Sequence, residues 1–242
     1  MQRPVPRGLA ILVWIGVAFL LFFGITASAL RATHVADLFA VAEPIRTSIL
    51  GALGIVDQNA VHRAGLVAQI DNKFGTHAVV TLVHVLCGAL LLVLVPLQFS
   101  KSIRSRYRAF HRWSGRLLVV TALITGFGGL YFGVLYPSVG QPEPFIIGVI
   151  GTWFLASTAI AYISIRRGHT AKHREWMLRA VASALGVSTV RLSMIPIDLV
   201  LTPMGVRPEV VFLNSFWIGW VIAIVTAEWW IRRTRPGRTT SA

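Results

Sequence analysis

Hydrophobic positions gather into six long apolar runs, with polar positions confined to the stretches between them. A helix needs roughly 20 apolar residues to cross the hydrocarbon core of a bilayer. The pattern predicts spans over about 9–30, 77–99, 117–136, 145–165, 178–202 and 210–231. The expected fold class is therefore all-α: a polytopic transmembrane helix bundle of six spans, with the whole chain, 1–242, forming a single integral membrane domain. Between the first two spans an outer loop, 32–75, is long enough to hold structure of its own. Its stretch Ile45–Val56 is apolar with a few polar residues and is expected to lie in the interface as a helix. No motif that carries chemistry is legible in this loop. The tail 232–242 reads as a solvated stop signal on the cytoplasmic side. Ala27-Ser28-Ala29 has the form of a signal-peptidase site, but the run before it exceeds the usual 7–15 residues of a signal h-region. An uncleaved first span is expected.

Composition narrows the class. Of 242 residues, 55% are hydrophobic and only 13% charged. A soluble domain carries about a quarter charged residues, so a soluble enzyme and a disordered chain are both excluded. Lys and Arg number 23 against 9 Asp and Glu, a net charge of +14. In a membrane protein the side on which these charges lie matters more than their sum. Seventeen Lys/Arg fall on one side of the spans and five on the other, with Arg191 left inside a span. The positive-inside rule then places both termini in the cytoplasm and the protein in the cell (inner or plasma) membrane. Lipid, not nucleic acid, is the partner this implies; an electron-transfer partner or a homo-oligomer stays open. The lone Cys87 excludes a disulfide framework and any cysteine-built zinc or iron–sulfur site.

Two basic turns look alike. Arg104, His111 and Arg112 precede one span, and Arg166, His173 and Arg174 precede another at a common offset of 62 residues. The two hairpins run in the same sense, so the repeat would be parallel, about an axis along the membrane normal. Such an axis sets His111 and His173 at equal depth near the cytoplasmic surface.

Inside the spans, His77, Thr81, His84 and Gly88 form one helical stripe. His77 and His84 are two turns apart, so they cannot ligate one metal ion. His77 is expected at the interface and His84 in the bundle interior. Ala184, Ser188, Arg191 and Asp198 share one face of the fifth span. An unpaired arginine near the midplane costs about 2.5–3.5 kcal/mol and stays protonated. Arg191 therefore points either to backbone carbonyls and water or to an external anion, with Asp198 reached only through water. Glu228 is expected to pair with loop arginines. Gly126, Gly129, Gly133, Gly148 and Gly151 allow close helix packing, and Trp113, Trp176, Trp229 and Trp230 suit an interfacial aromatic belt. His34, His62 and His169 read as solvated.

In their combination, several pieces resemble the bacterial membrane family known as domain-of-unknown-function family 2306. They are His84 with Gly88, Pro96-Leu97-Gln98-Phe99, Arg104 and Arg106, His111-Arg112-Trp113 with Gly115-Arg116, His173-Arg174 with Trp176-Met177 and Arg179, and Arg191. The resemblance covers about 76–192 and implies a membrane protein without an assigned activity. A looser likeness is to haem-binding four-helix membrane cytochromes of the b type, which also show histidine, glycine, glutamine and a basic turn across neighbouring helices. They use four axial histidines on separate helices at two depths; this sequence departs from that pattern, so the likeness does not carry over a second haem.

Three readings stay open. One is a b-type haem redox protein with His111 and His173 as the iron ligands, and with Arg112, Arg116, Arg174 and Arg179 opposite the propionates. His84 and Arg191 would then serve a further part of a cofactor site. Another is a small transporter, sensor or lipid-interacting protein using Arg191 and His84 as an anion or proton site. The third is a structural accessory subunit. There is no phosphate-cradling glycine loop, HExxH helix or nucleophile elbow, so any chemistry lies within the bundle or on a partner, and whether the chain is an enzyme is left open.

Overall fold

A computed structural model describes residues 6–35, 38–54, 56, 60–201 and 203–235. The end of the tail, 236–242, lies outside the described residues. The described chain is helical with no strand: α1 (Arg7–Thr33), α2 (Leu38–Ala52), α3 (Ala60–Thr76), α4 (Ala78–Phe99), α5 (Lys101–Arg106), α6 (Arg108–Leu130), α7 (Glu143–Arg166), α8 (Thr170–Leu201) and α9 (Pro208–Thr234). A π-helical turn, Tyr131–Leu135, extends α6. Six helices are long and apolar enough to cross a membrane: α1, α4, α6 with its extension, α7, α8 and α9.

These helices outrun the apolar stretches at one end in particular. Residues 108–116 and 170–177 are polar and basic yet helical. Backbone hydrogen bonding continues past the apolar boundary, and long arginine side chains carry their charge away from it. Local signals fix the ends. Ser100 caps α5 by accepting from the Ile103 N–H at 3.3 Å. Pro208 opens α9, with Glu209 in its first turn and Arg232 and Arg233 in its last, the arrangement the helix dipole favours.

The helices α4, α6, α7 and α8 pack in sequence order, and α1 fills the gap between α4 and α8. The last span, α9, lies outside this ring, mainly against α8. Small residues set the close approaches. A Cβ on Gly219 of α9 would lie 2.5 Å from the Val190 backbone, and one on Gly24 of α1 would lie 2.5 Å from Ser188 Oγ. Gly126 and Gly151, expected to allow such packing, do so against Leu155 and Leu130. The core is continuous from Leu21 through Leu91, Val95, Leu118 and Ala161 to Leu185. A cavity of about 170 Å³ opens between α1 and α9, and its walls, including Val17, Leu20, Leu185 and Ala223, are almost wholly apolar.

The loop 32–75 folds into α2 and α3. Helix α2 covers most of the stretch expected to lie as an interfacial helix. The chain thus has a basic end, which carries α5 and the starts of α6 and α8, and a far end covered by α3.

Candidate functional site

At the basic end, His111 and His173 hold equivalent places: each is the fourth residue of its helix. The His111 N–H donates to Tyr107 O at 3.0 Å and the His173 N–H to His169 O at 2.9 Å. The two rings lie within electrostatic range of each other, with Arg104 also close to His111. Their hydrogen bonds differ. His173 Nδ1 meets the Ala161 carbonyl of α7 at 2.9 Å. A carbonyl only accepts, so Nδ1 carries the proton and, in the neutral ring, Nε2 keeps its lone pair. His111 Nδ1 is buried with no hydrogen-bond partner. Gln98 steadies the start of α6, donating to Ser114 Oγ at 2.7 Å and to His111 O at 3.3 Å.

Two of the four arginines expected beside these histidines are occupied. Arg179 makes a two-pronged contact with Glu228, at 2.5 and 3.1 Å, and lies over the Trp176 ring. Arg174 donates to Thr234 Oγ1 at 2.7 Å. Glu228 thus pairs with an arginine as expected, and tying α8 to α9 is what takes Arg174 and Arg179 away from a ligand. Arg112 and Arg116 are exposed, without an acidic partner among the described residues, and Arg116 stacks over Trp113. Trp176 departs from a simple interfacial belt by meeting Trp153 of α7 at 6.0 Å. Replacing Glu228 by Gln should cost about 1.5–3 kcal/mol, the scale of a charge-assisted bond. The Glu175–Arg235 pair is more exposed, with Arg235 at 55%, and Glu175→Gln should cost under about 1 kcal/mol. Thermal midpoints of the purified variants compare the two.

Deeper in the bundle, His84 of α4 lies flat against α6. A Cβ on Gly128 would come within 2.7 Å of its Nδ1, which is buried and has no hydrogen-bond partner. Thr125 Oγ1, beside it on α6, is likewise buried and unpartnered. Arg191 of α8 lies within electrostatic range of both His84 and Arg31. Its one hydrogen bond among the described residues is a 3.4 Å contact to Val187 O of its own helix. Asp198 does not serve Arg191: it pairs with Arg63 of α3 at 2.7 Å. The structure thus forms two separate groups, His111 with His173 and His84 with Arg191, and does not merge them.

The far end holds what the sequence did not disclose. Helix α3 is pinned by buried ion pairs, Arg63 to Asp198 and Asp71 to Arg31, each at 2.7 Å. Lys73 reaches Ser138 Oγ and lies 4.0 Å from Glu143, whose other oxygen accepts from the N–H groups of Ser138 and Val139 at 2.6 and 2.8 Å. Burial holds the Lys73 ammonium below the usual lysine value, with Glu143 opposing that shift. Thr81 Oγ1 donates to Phe74 O at 2.9 Å across the α3–α4 turn, and His77 bonds Tyr131 at 3.1 Å within a cluster of aromatic rings. The available signal was charge balance. In 32–75 acidic and basic residues nearly cancel, as they do where they pair, unlike the uncompensated basic end.

Comparisons with known proteins agree with the bundle. No curated protein and no solved structure matches the chain, so the looser likeness to haem cytochromes finds no match there. The family described as "Predicted membrane protein (DUF2306)" matches residues 81–231, from α4 to near the end of α9. That is further than the motifs alone reached, because the family includes the last span. With well over half of its length matched, the chain belongs to the DUF2306 family of membrane proteins.

Proposed function

We propose that this membrane protein carries one b-type haem at its basic end and serves in electron transfer, with His111 and His173 as the axial pair. The observation that carries the reading is the tautomer of His173. Its Nδ1–H is held by the Ala161 carbonyl, which fixes the ring and leaves Nε2 free, the arrangement common to ligating histidines. His111, from a helix of the same sense, supplies a second imidazole with a buried, unpartnered nitrogen. The donor set fits, since two neutral imidazoles from facing helices are a normal axial pair. Bound there, haem supplies one-electron chemistry. The chain's own residues orient the rings, through Ala161 for His173 and Gln98 for the start of α6. Arg104, Arg112 and Arg116, without an acidic partner among the described residues, are cations that could face propionates. The surplus of basic residues at this end supports a cytoplasmic orientation for it.

A reduced-minus-oxidised spectrum of protein produced with ample haem precursor tests this. A sharp α-band is expected, lost in both His111→Ala and His173→Ala and kept in His169→Ala. Well-folded protein without the band, or a band that survives both substitutions, overturns the reading.

A further inference from the structure

We infer that the far-end half of the bundle contains a second, separate site, which binds a carboxylate through Arg191 with His84 and Thr125 beside it. Neighbouring residues fix the direction of Arg191. On α8, Gly186 and Val190 face Trp220 and Gly219 of α9, whereas Ser188 packs on Gly24 of α1 and Leu92 of α4. At 100° per residue, Arg191 lies about 60° from Ser188, on the side away from α9. It shares that side with His173, which reaches α7. Arg191 thus points into the bundle, between α4 and α7.

The bundle does not close around it. Arg191 is exposed, and Val187, one turn before it, is 51% exposed. A permanently charged guanidinium, with five N–H donors and a single weak contact among the described residues, is therefore left accessible on this side of α8. His84 joins the group: it lies against Gly128, near Thr125 and within electrostatic range of Arg191. His84 Nδ1 and Thr125 Oγ1 are both buried and unpartnered.

No acidic side chain among the described residues pairs with Arg191. A guanidinium fork takes two oxygens of one planar group, and the unpartnered Thr125 hydroxyl beside His84 is a further donor. The carboxylate has two sources, a small water-borne acid or a fatty acid from the bilayer.

The test uses the full chain in nanodiscs of zwitterionic lipid, with acetate as the probe. Acetate should raise the thermal midpoint saturably against equal ionic strength of chloride. Arg191→Gln should weaken the apparent affinity by about tenfold or more, the scale of one charge-assisted contact. Arg207→Gln, an exposed arginine at the same end, should leave it unchanged. Equal acetate response in wild type and Arg191→Gln overturns the site. Should Arg191→Gln fail to fold, carboxyl-labelled acetate with nitrogen-labelled arginine in the wild-type protein decides by magnetic resonance. A close contact to one guanidinium, weakened in Thr125→Val, supports the site, and none refutes it. Oleate that displaces acetate at stoichiometric amounts identifies the bilayer as the source; acetate that stays bound identifies a water-borne acid. The site is independent of the haem reading, so His111→Ala and His173→Ala should keep full acetate binding.

Discussion

Gly219→Ala should destabilise the protein by about 3 kcal/mol or more, the upper range for overpacking a site that cannot relax. The reason is what the new methyl group would meet. It would lie 2.5 Å from both the Cα and the N of Val190 and 2.9 Å from the Thr189 carbonyl carbon. These are backbone atoms in the middle of α8, so no rotamer change relieves the clash and the two helices must separate. Around this contact α8 and α9 form the most extensive helix pair in the molecule. Ser193 Oγ donates to Ser215 O at 3.2 Å across it, and Gly186 receives Trp220. Lipid is as apolar as the helix faces, so association depends on close packing and a few polar bonds, and separation forfeits both. Gly16→Ala is the control, because a Cβ there meets nothing within 4 Å. Thermal midpoints of both variants in one detergent give the comparison. A Gly219→Ala protein as stable as Gly16→Ala would show that the α8–α9 contact is not as close as described.

The six spans were legible in the sequence because each is a long apolar run, and the observed helices contain nearly all of each predicted span. Helix starts were less legible. Residues 108–116 are basic, and hydropathy says nothing about whether a polar stretch continues a helix. The equivalence of His111 and His173 could be read from spacing, and both prove to be fourth residues of helices of the same sense. Their hydrogen bonds could not, since Ala161 is 12 residues from His173 and nothing about an alanine announces its carbonyl. The pairing of Asp198 was missed for a different reason. Periodicity placed it on the face of Arg191, but its partner Arg63 comes from a loop helix more than 130 residues away in the chain, and no local pattern records such a contact. For Arg179 the partner was legible in part: Glu228 was expected to pair with a loop arginine, but no local pattern chose Arg179 among them.

Helix α3 owes its place at the far end chiefly to charge, and this leads to a second large effect. It touches α2, α4 and α9 only sparingly, while Arg63 and Asp198 have side-chain exposures of just 7% and 13%. Breaking such a buried pair by removing one member costs about 3–5 kcal/mol. Arg63→Leu and Asp198→Leu should each lower stability by that amount. Replacing both removes two desolvation costs together with the attraction, and similar apolar volume in their place is often neutral. The double variant Arg63→Leu/Asp198→Leu should therefore recover most of the loss, a coupling of at least about 2 kcal/mol, at the upper end for residues in contact. Thermal midpoints of the four proteins complete the cycle. Losses that merely add would mean that the two residues act separately and that α3 is held by something other than this pair.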